Sequence, residues 1–124
     1  MIKIRPKQMT VMGTEMFRKF RSRLKEHARA EFPEATADMT DPTLDQWIDD
    51  ALARGKKHGI TSERDVNLFF DLFFLKGRNF DKDPATPWVQ KILHDESLEG
   101  DYKMDVIYQR FAALENAGVG GGSR

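Results

Sequence analysis

Apolar residues recur along this chain at spacings of three and four, the period of a helix buried on one side. Across residues 7–31, Met9, Met16, Phe17, Phe20, Leu24 and Ala28 keep that spacing, while Arg18, Lys19, Arg21, Arg23, Lys25 and Arg29 occupy the remaining surface. Gly13 weakens the start of this helix. Phe32-Pro33 ends it, because proline lacks the N–H that a helix interior requires. Pro6 disfavours helix at Arg5, so residues 1–6 read as irregular. A second helix opens at Asp41-Pro42, an acidic cap with proline at the first helical position. Leu44, Trp47, Ile48, Ala51 and Leu52 form its stripe, Asp45, Asp49 and Asp50 lie off it, and Gly55 or Gly59 closes it.

Thr61 or Ser62 caps a third helix, whose Glu63 and Asp65 suit its positive N-terminal end. Its body, residues 66–75, carries two stripes: Val66, Phe69, Phe70 and Phe73, and then Leu68, Leu72 and Leu75. A helix apolar on most sides belongs at the centre of a bundle. Residues 79–87 read as a loop rich in Asp and Pro. Thr86-Pro87 then repeats the start signal for a helix bearing Trp88, Val89, Ile92 and Leu93. After an acidic turn at residues 96–101, Met104, Ile107, Tyr108, Phe111 and Leu114 mark a last helix. The pattern therefore predicts an all-α fold: a compact bundle of about five helices around residues 66–75. It is one domain over residues 1–117, with a flexible glycine-rich tail over 118–124.

Composition sharpens this in a few places. The 124 residues hold nine phenylalanines and no cysteine. That is enough apolar material for one core, with no thiol for disulfide, nucleophile or metal. The segment over residues 1–6 lacks the apolar run of a signal peptide, and no stretch is long enough to span a bilayer, so the expected location is cytoplasmic. The net charge is zero but unevenly spread. Residues 1–29 hold nine basic and two acidic side chains, net +7; residues 30–53 hold seven acidic and no basic ones, net −7. This predicts neighbouring surfaces of opposite sign.

Candidate chemistry is sparse. His27, His58 and His94 fall in three different elements, without the two-histidine spacing of a helical metal site. His27 reads as packed near the first apolar stripe. His58, with Lys56 and Lys57, suits the negative end of a helix. Asp81-Lys82-Asp83 resembles the opening of a calcium loop but lacks its glycine and terminal glutamate. Asp49 and Asp50 are adjacent on a helix and so diverge. Asp71 interrupts the most apolar helix, where an unpaired carboxylate would be costly. It should therefore face solvent, meet a cation such as Arg64, Arg78 or an arginine of the first helix, or anchor a groove. The basic run over residues 18–25 admits nucleic acid, but an acidic protein face suits it better. No nucleophile, base and oxyanion donor can be assembled, so neither an enzyme nor a cofactor is expected.

Several stretches resemble a family of small uncharacterised bacterial proteins. They are Met1-Ile2-Lys3-Ile4-Arg5-Pro6-Lys7-Gln8-Met9, then His58-Gly59-Ile60-Thr61-Ser62-Glu63-Arg64-Asp65-Val66, then Leu75-Lys76-Gly77-Arg78-Asn79-Phe80-Asp81, and finally Pro87-Trp88-Val89-Gln90-Lys91-Ile92-Leu93. The chain departs from that family at His58, where an aromatic residue is usual, and in its glycine-rich tail. Such proteins are often encoded beside spike and effector genes of type VI secretion systems. The resemblance implies a protein-binding accessory of a secreted effector, an adaptor or chaperone, with an immunity protein as the alternative. A nucleic-acid-binding regulator is a further reading. The partner-binding candidates are Trp47, Tyr102 and Tyr108 as aromatic anchors, Asp71 as a groove anchor, and Arg18, Arg21, Asp45 and Asp49 as orienting charges. Trp88 reads as core.

Overall fold

Where the sequence places caps and prolines, the backbone turns. In a computed structural model describing residues 14–122, with side chains over residues 15–116, the chain is all-α. Its helices are α1 (Thr14–Glu31), α2 (Pro33–Thr36), α3 (Asp41–Lys57), α4 (Glu63–Leu75), α5 (Pro87–Leu93) and α6 (Gly100–Gly122), with a 3-10 turn at Phe80–Lys82 between α4 and α5. The irregular start expected over residues 1–6 and the first turns expected before Thr14 lie outside the described residues.

Several boundaries differ from those expected. Pro33 does stop α1, but it also starts α2, a single turn that brings the count of α-helices to six among the described residues. Proline fits there because the first N–H of a helix has no intrahelical acceptor anyway. The cap of α3 is Thr40, not Asp41: the Thr40 hydroxyl accepts from the Thr43 N–H at 3.2 Å. Ser62 caps α4 in the same way, accepting from the Asp65 N–H at 3.1 Å. The helical backbone of α6 runs on to Gly122, past the point where the glycines predicted a tail. Extending an existing helix adds one hydrogen bond per residue fixed, without a new nucleus.

The core is continuous. Phe20, Leu24 and Ala28 of α1 face Leu44, Ile48 and Ala51 of α3, and α4 packs against α1, α3 and α6. In α4, Val66, Phe69, Phe70, Leu72 and Phe73 are all buried, which makes it the central helix predicted. Phe80 from the 3-10 turn meets Phe69 and Phe73 edge-on or tilted, with ring centres 5.4 and 6.2 Å away. Only the far end of the second α4 stripe leaves the core: Leu75 is half exposed, as are Leu114 and Met16. Met104, Ile107 and Phe111 dock α6.

Two polar devices lock the helices. In the first, Asp50 on α3 accepts from Arg54 at 3.1 Å and from Arg78 at 2.8 and 3.1 Å, while Arg54 also donates to Asp81 of the 3-10 turn at 2.7 Å. Asp81 and Arg54 are nearly enclosed, so the first acid of the Asp81-Lys82-Asp83 stretch is taken up by an internal ion pair. In the second, the Lys103 ammonium donates to the carbonyls of His58 and Leu93, each at 2.8 Å. These carbonyls lie at the C-terminal ends of α3 and α5, where a cation is favoured by the helix dipole.

That second device needs α6 to start very close to the α3–α4 connection. Gly59 turns the chain there with φ +77°, and Gly100 packs directly on its carbonyl. A Cβ at residue 100 would collide with that backbone oxygen. Gly100→Ala should therefore lower unfolding free energy by about 2 kcal/mol, the scale of overpacking. Urea denaturation measures this, and an unchanged midpoint would contradict the close approach.

Candidate functional site: an aromatic row between two carboxylates

The charged segments that the sequence set apart turn out to be each other's partners. Arg21 meets Asp49 at 2.5 Å and Asp45 at 3.2 Å, Lys25 meets Asp45 at 3.3 Å, and Arg29 meets Asp41 at 2.8 Å. These are antiparallel rungs between α1 and α3. Arg29 also donates to the carbonyls of Thr36 and Met39, tying α1 to the connection that follows it. Arg18 pairs with Glu15 and Arg23 with Glu63. Of the eight candidate side chains, Arg21, Asp45 and Asp49 are thus brought together, but as an internal seam.

Asp71 finds a partner the sequence did not propose. Its Oδ1 lies 2.9 Å from Nε2 of His27 on α1, so its partner is an imidazole and not Arg64 or Arg78. The arginines are occupied elsewhere: Arg64 holds Asp65 and Asp105, and Arg78 holds Asp50. His27 does pack beside the first apolar stripe, against Phe32, but is not enclosed: its side chain is 30 % exposed. Burial raises the Asp71 carboxyl above the ordinary carboxylate value, against the attraction of His27. Tyr108, also half-buried, donates its hydroxyl to the Leu68 carbonyl at 2.6 Å. Burial, with the Asp71 charge second, pushes the Tyr108 phenol upward. Tyr102 stands apart, exposed on the first turn of α6.

His27 opens a row that crosses three elements. Its ring meets Phe32 edge-on, centres 6.4 Å apart; Phe32 stacks on Phe74 at 4.8 Å and 12°. Phe74 lies 5.0 Å from Trp47, and the Arg78 guanidinium sits over Trp47 at 5.1 Å from the ring centre. All five side chains are half-buried. Each end is held by a carboxylate, His27 by Asp71 and Arg78 by Asp50. Burial pulls Asp50 upward, but the hydrogen bonds from Arg78 and Arg54 outweigh it and leave its carboxyl below the ordinary value. Trp47 was foreseen; Phe32, Phe74 and Arg78 were not. Trp88, half-buried and not fully enclosed, packs on Phe111 with Arg110 over its ring.

Partly exposed π-faces held at fixed spacing suit contact with an apolar segment, since aromatic rings and arginine supply large contact area at low entropic cost. Among the described residues, no group of three or more His, Cys, Asp or Glu is placed to hold a metal ion. No helix among them is long and apolar enough to cross a membrane. No family model matches the chain, and neither the curated proteins nor the solved structures contain a match to it.

The raised Asp71 carboxyl has a testable sign. A group whose pKa rises on folding contributes stability below its unfolded value, near 3.8, and loses it as pH climbs through the folded value. Wild-type unfolding free energy, taken relative to Asp71→Asn, should therefore fall as pH is raised above the ordinary carboxylate range. Urea titrations between pH 3.5 and pH 6 follow it, and one proton sets a ceiling on the slope of about 1.4 kcal/mol for each pH step of one. A difference that stays flat would remove the burial argument.

Proposed function

We propose that this chain is a protein-binding accessory and that the row from His27 to Arg78 is its docking surface. The observation that carries the reading is that row: five half-buried side chains, from α1, the α1–α2 junction, α3, α4 and the turn after α4, in successive contact with both ends anchored. The occupant is an apolar segment of a partner polypeptide. Its class, an effector or spike protein of a type VI secretion system, rests on the sequence resemblance, with the chain acting as adaptor or chaperone in the cytoplasm.

The charge pattern supports this reading over the alternatives. An immunity protein that mimics a polyanion through Asp38, Asp41, Asp45, Asp49 and Asp50 would need free acids, yet all of these but Asp38 hold a cation. A nucleic-acid face would need free cations, yet of the basic residues over 18–25 all but Lys19 meet an acid. The aromatic row adds partly exposed ring faces at the surface.

Affinity capture from the native cell extract, with mass spectrometry and size-exclusion chromatography, tests this. The wild type should retain one effector or spike protein at fixed stoichiometry. Trp47→Ala and Phe32→Ala should each weaken that complex at least tenfold, a loss of about 1.4 kcal/mol or more. Thermal unfolding of both variants separates lost binding from lost structure. Retained binding by both folded variants, or capture of nucleic acid alone, would overturn the proposal.

A further inference from the structure

About 15 Å along α3 from Trp47, ten residues on at the helical rise, the chain encloses a second feature. A cavity of about 290 Å³ lies where the ends of α3 and α5 meet the start of α6, and Lys57, His58, Leu93, His94, Glu96 and Lys103 are among the residues that line it. Four of these side chains are basic or can become so. His58 and His94 stand edge to face with ring centres 5.1 Å apart. Lys103 is 97 % buried, since only 3 % of its surface remains exposed.

The charge on Lys103 is incompletely compensated. An ammonium has three N–H donors. Two go to the His58 and Leu93 carbonyls, and among the described residues the third has no protein acceptor. Nor does any carboxylate pair directly with it there, whereas Arg54 and Arg78 both have carboxylate partners. The two carbonyls end helices and so supply only about half a negative charge each. Burial accordingly pushes the Lys103 amine below the ordinary lysine value, with Asp95 and Glu96 opposing from a distance. Burial, then His94 and Lys103, push the His58 imidazole down in the same way, with Asp81 opposing. An anion in the cavity would relieve all of these penalties at once.

We propose that this cavity binds a small oxyanion, a phosphate or carboxylate group, with the buried Lys103 ammonium as its central donor and His58, His94 and Lys57 around it. The site lies apart from the aromatic row and does not depend on the docking reading. Its affinity rises as pH falls through the range in which the His58 imidazole gains its proton, a range that burial sets below the ordinary histidine value. Glu96 in the lining and Asp95 beside it set the opposing charge, and Asp81, already held by Arg54, adds little.

The probe is inorganic phosphate, with acetate as the carboxylate arm and sodium chloride matching ionic strength. Proton NMR of the histidine ring resonances is followed at pH 6 and pH 8. Phosphate or acetate should shift the His58 and His94 signals saturably and raise the melting temperature, and acetate, whose charge is the same at both pH values, should bind more tightly at pH 6. Whichever arm binds identifies the oxyanion. Lys103→Met is expected to disturb folding, so the deciding variant is His94→Gln, whose parent side chain is exposed. It should weaken binding at least fivefold while leaving the unliganded melting temperature nearly unchanged. Shifts no larger than those in sodium chloride, or equal binding by His94→Gln, would overturn the site.

Discussion

The architecture turns on one carboxylate. Asp50 holds two arginines, and each lies over an aromatic ring: Arg54 over Phe73 in the core, at 4.6 Å, and Arg78 over Trp47 at the surface, at 5.1 Å. With Asp81 on the far side of Arg54, the cluster holds two positive and two negative charges. Local neutrality is what makes burial of so polar a group tolerable. The same carboxylate therefore helps to close the core and to set the outer edge of the aromatic row. Loss of Asp50 would leave Arg54 one buried partner and Arg78 none of its observed acids, so the damage would pass from the interior to the surface.

At the C-terminal end of α3, one turn beyond Arg54, the chain uses a different solution. There the buried cation is a lysine, and its partners are helix-terminal carbonyls instead of acids. Three helices converge on one ammonium because Gly59 and Gly100 let two backbones touch. Carbonyl partners leave charge to spare where carboxylates do not, and a cavity opens at this end of the helix.

Periodicity and capping make most of the helices legible. The runs in α1, α3, α4 and α6 carry three-and-four spacing, and the threonine or serine caps lie within a residue of the start signals. The single turn of α2 is hidden because four residues are too few to show a period, and because Pro33 carries the signal of a stop. The 3-10 turn at Phe80 is hidden in the same way, inside what composition reads as a loop. The sites are much less legible. The composition of α4 flags Asp71 as needing a partner, but only the fold brings His27, 44 positions earlier, against it. Phe32 and Phe74 lie 42 positions apart, so their stacking is a property of tertiary structure. A buried lysine such as Lys103 has no sequence signature, since it is spaced like any residue on an amphipathic helix.

The ion pairs between α1 and α3 have a consequence for alignment. Residues 21, 25 and 29 meet 49, 45 and 41, a ladder with a four-residue step on both helices. If α1 slid by one turn, Arg21 would come level with Asp45 and Lys25 with Asp41, and most of the ladder would re-form. The charges therefore select which helices pair and in what direction, but they are nearly degenerate in register. Apolar volume breaks that degeneracy. Phe20, Leu24 and Ala28 diminish along α1 while Leu44, Ile48 and Ala51 diminish along α3, and antiparallel pairing brings the large end of each helix to the small end of the other. A one-turn slide would drive Phe20 toward Ile48 and Leu24 toward Leu44, which a close-packed interior does not accommodate.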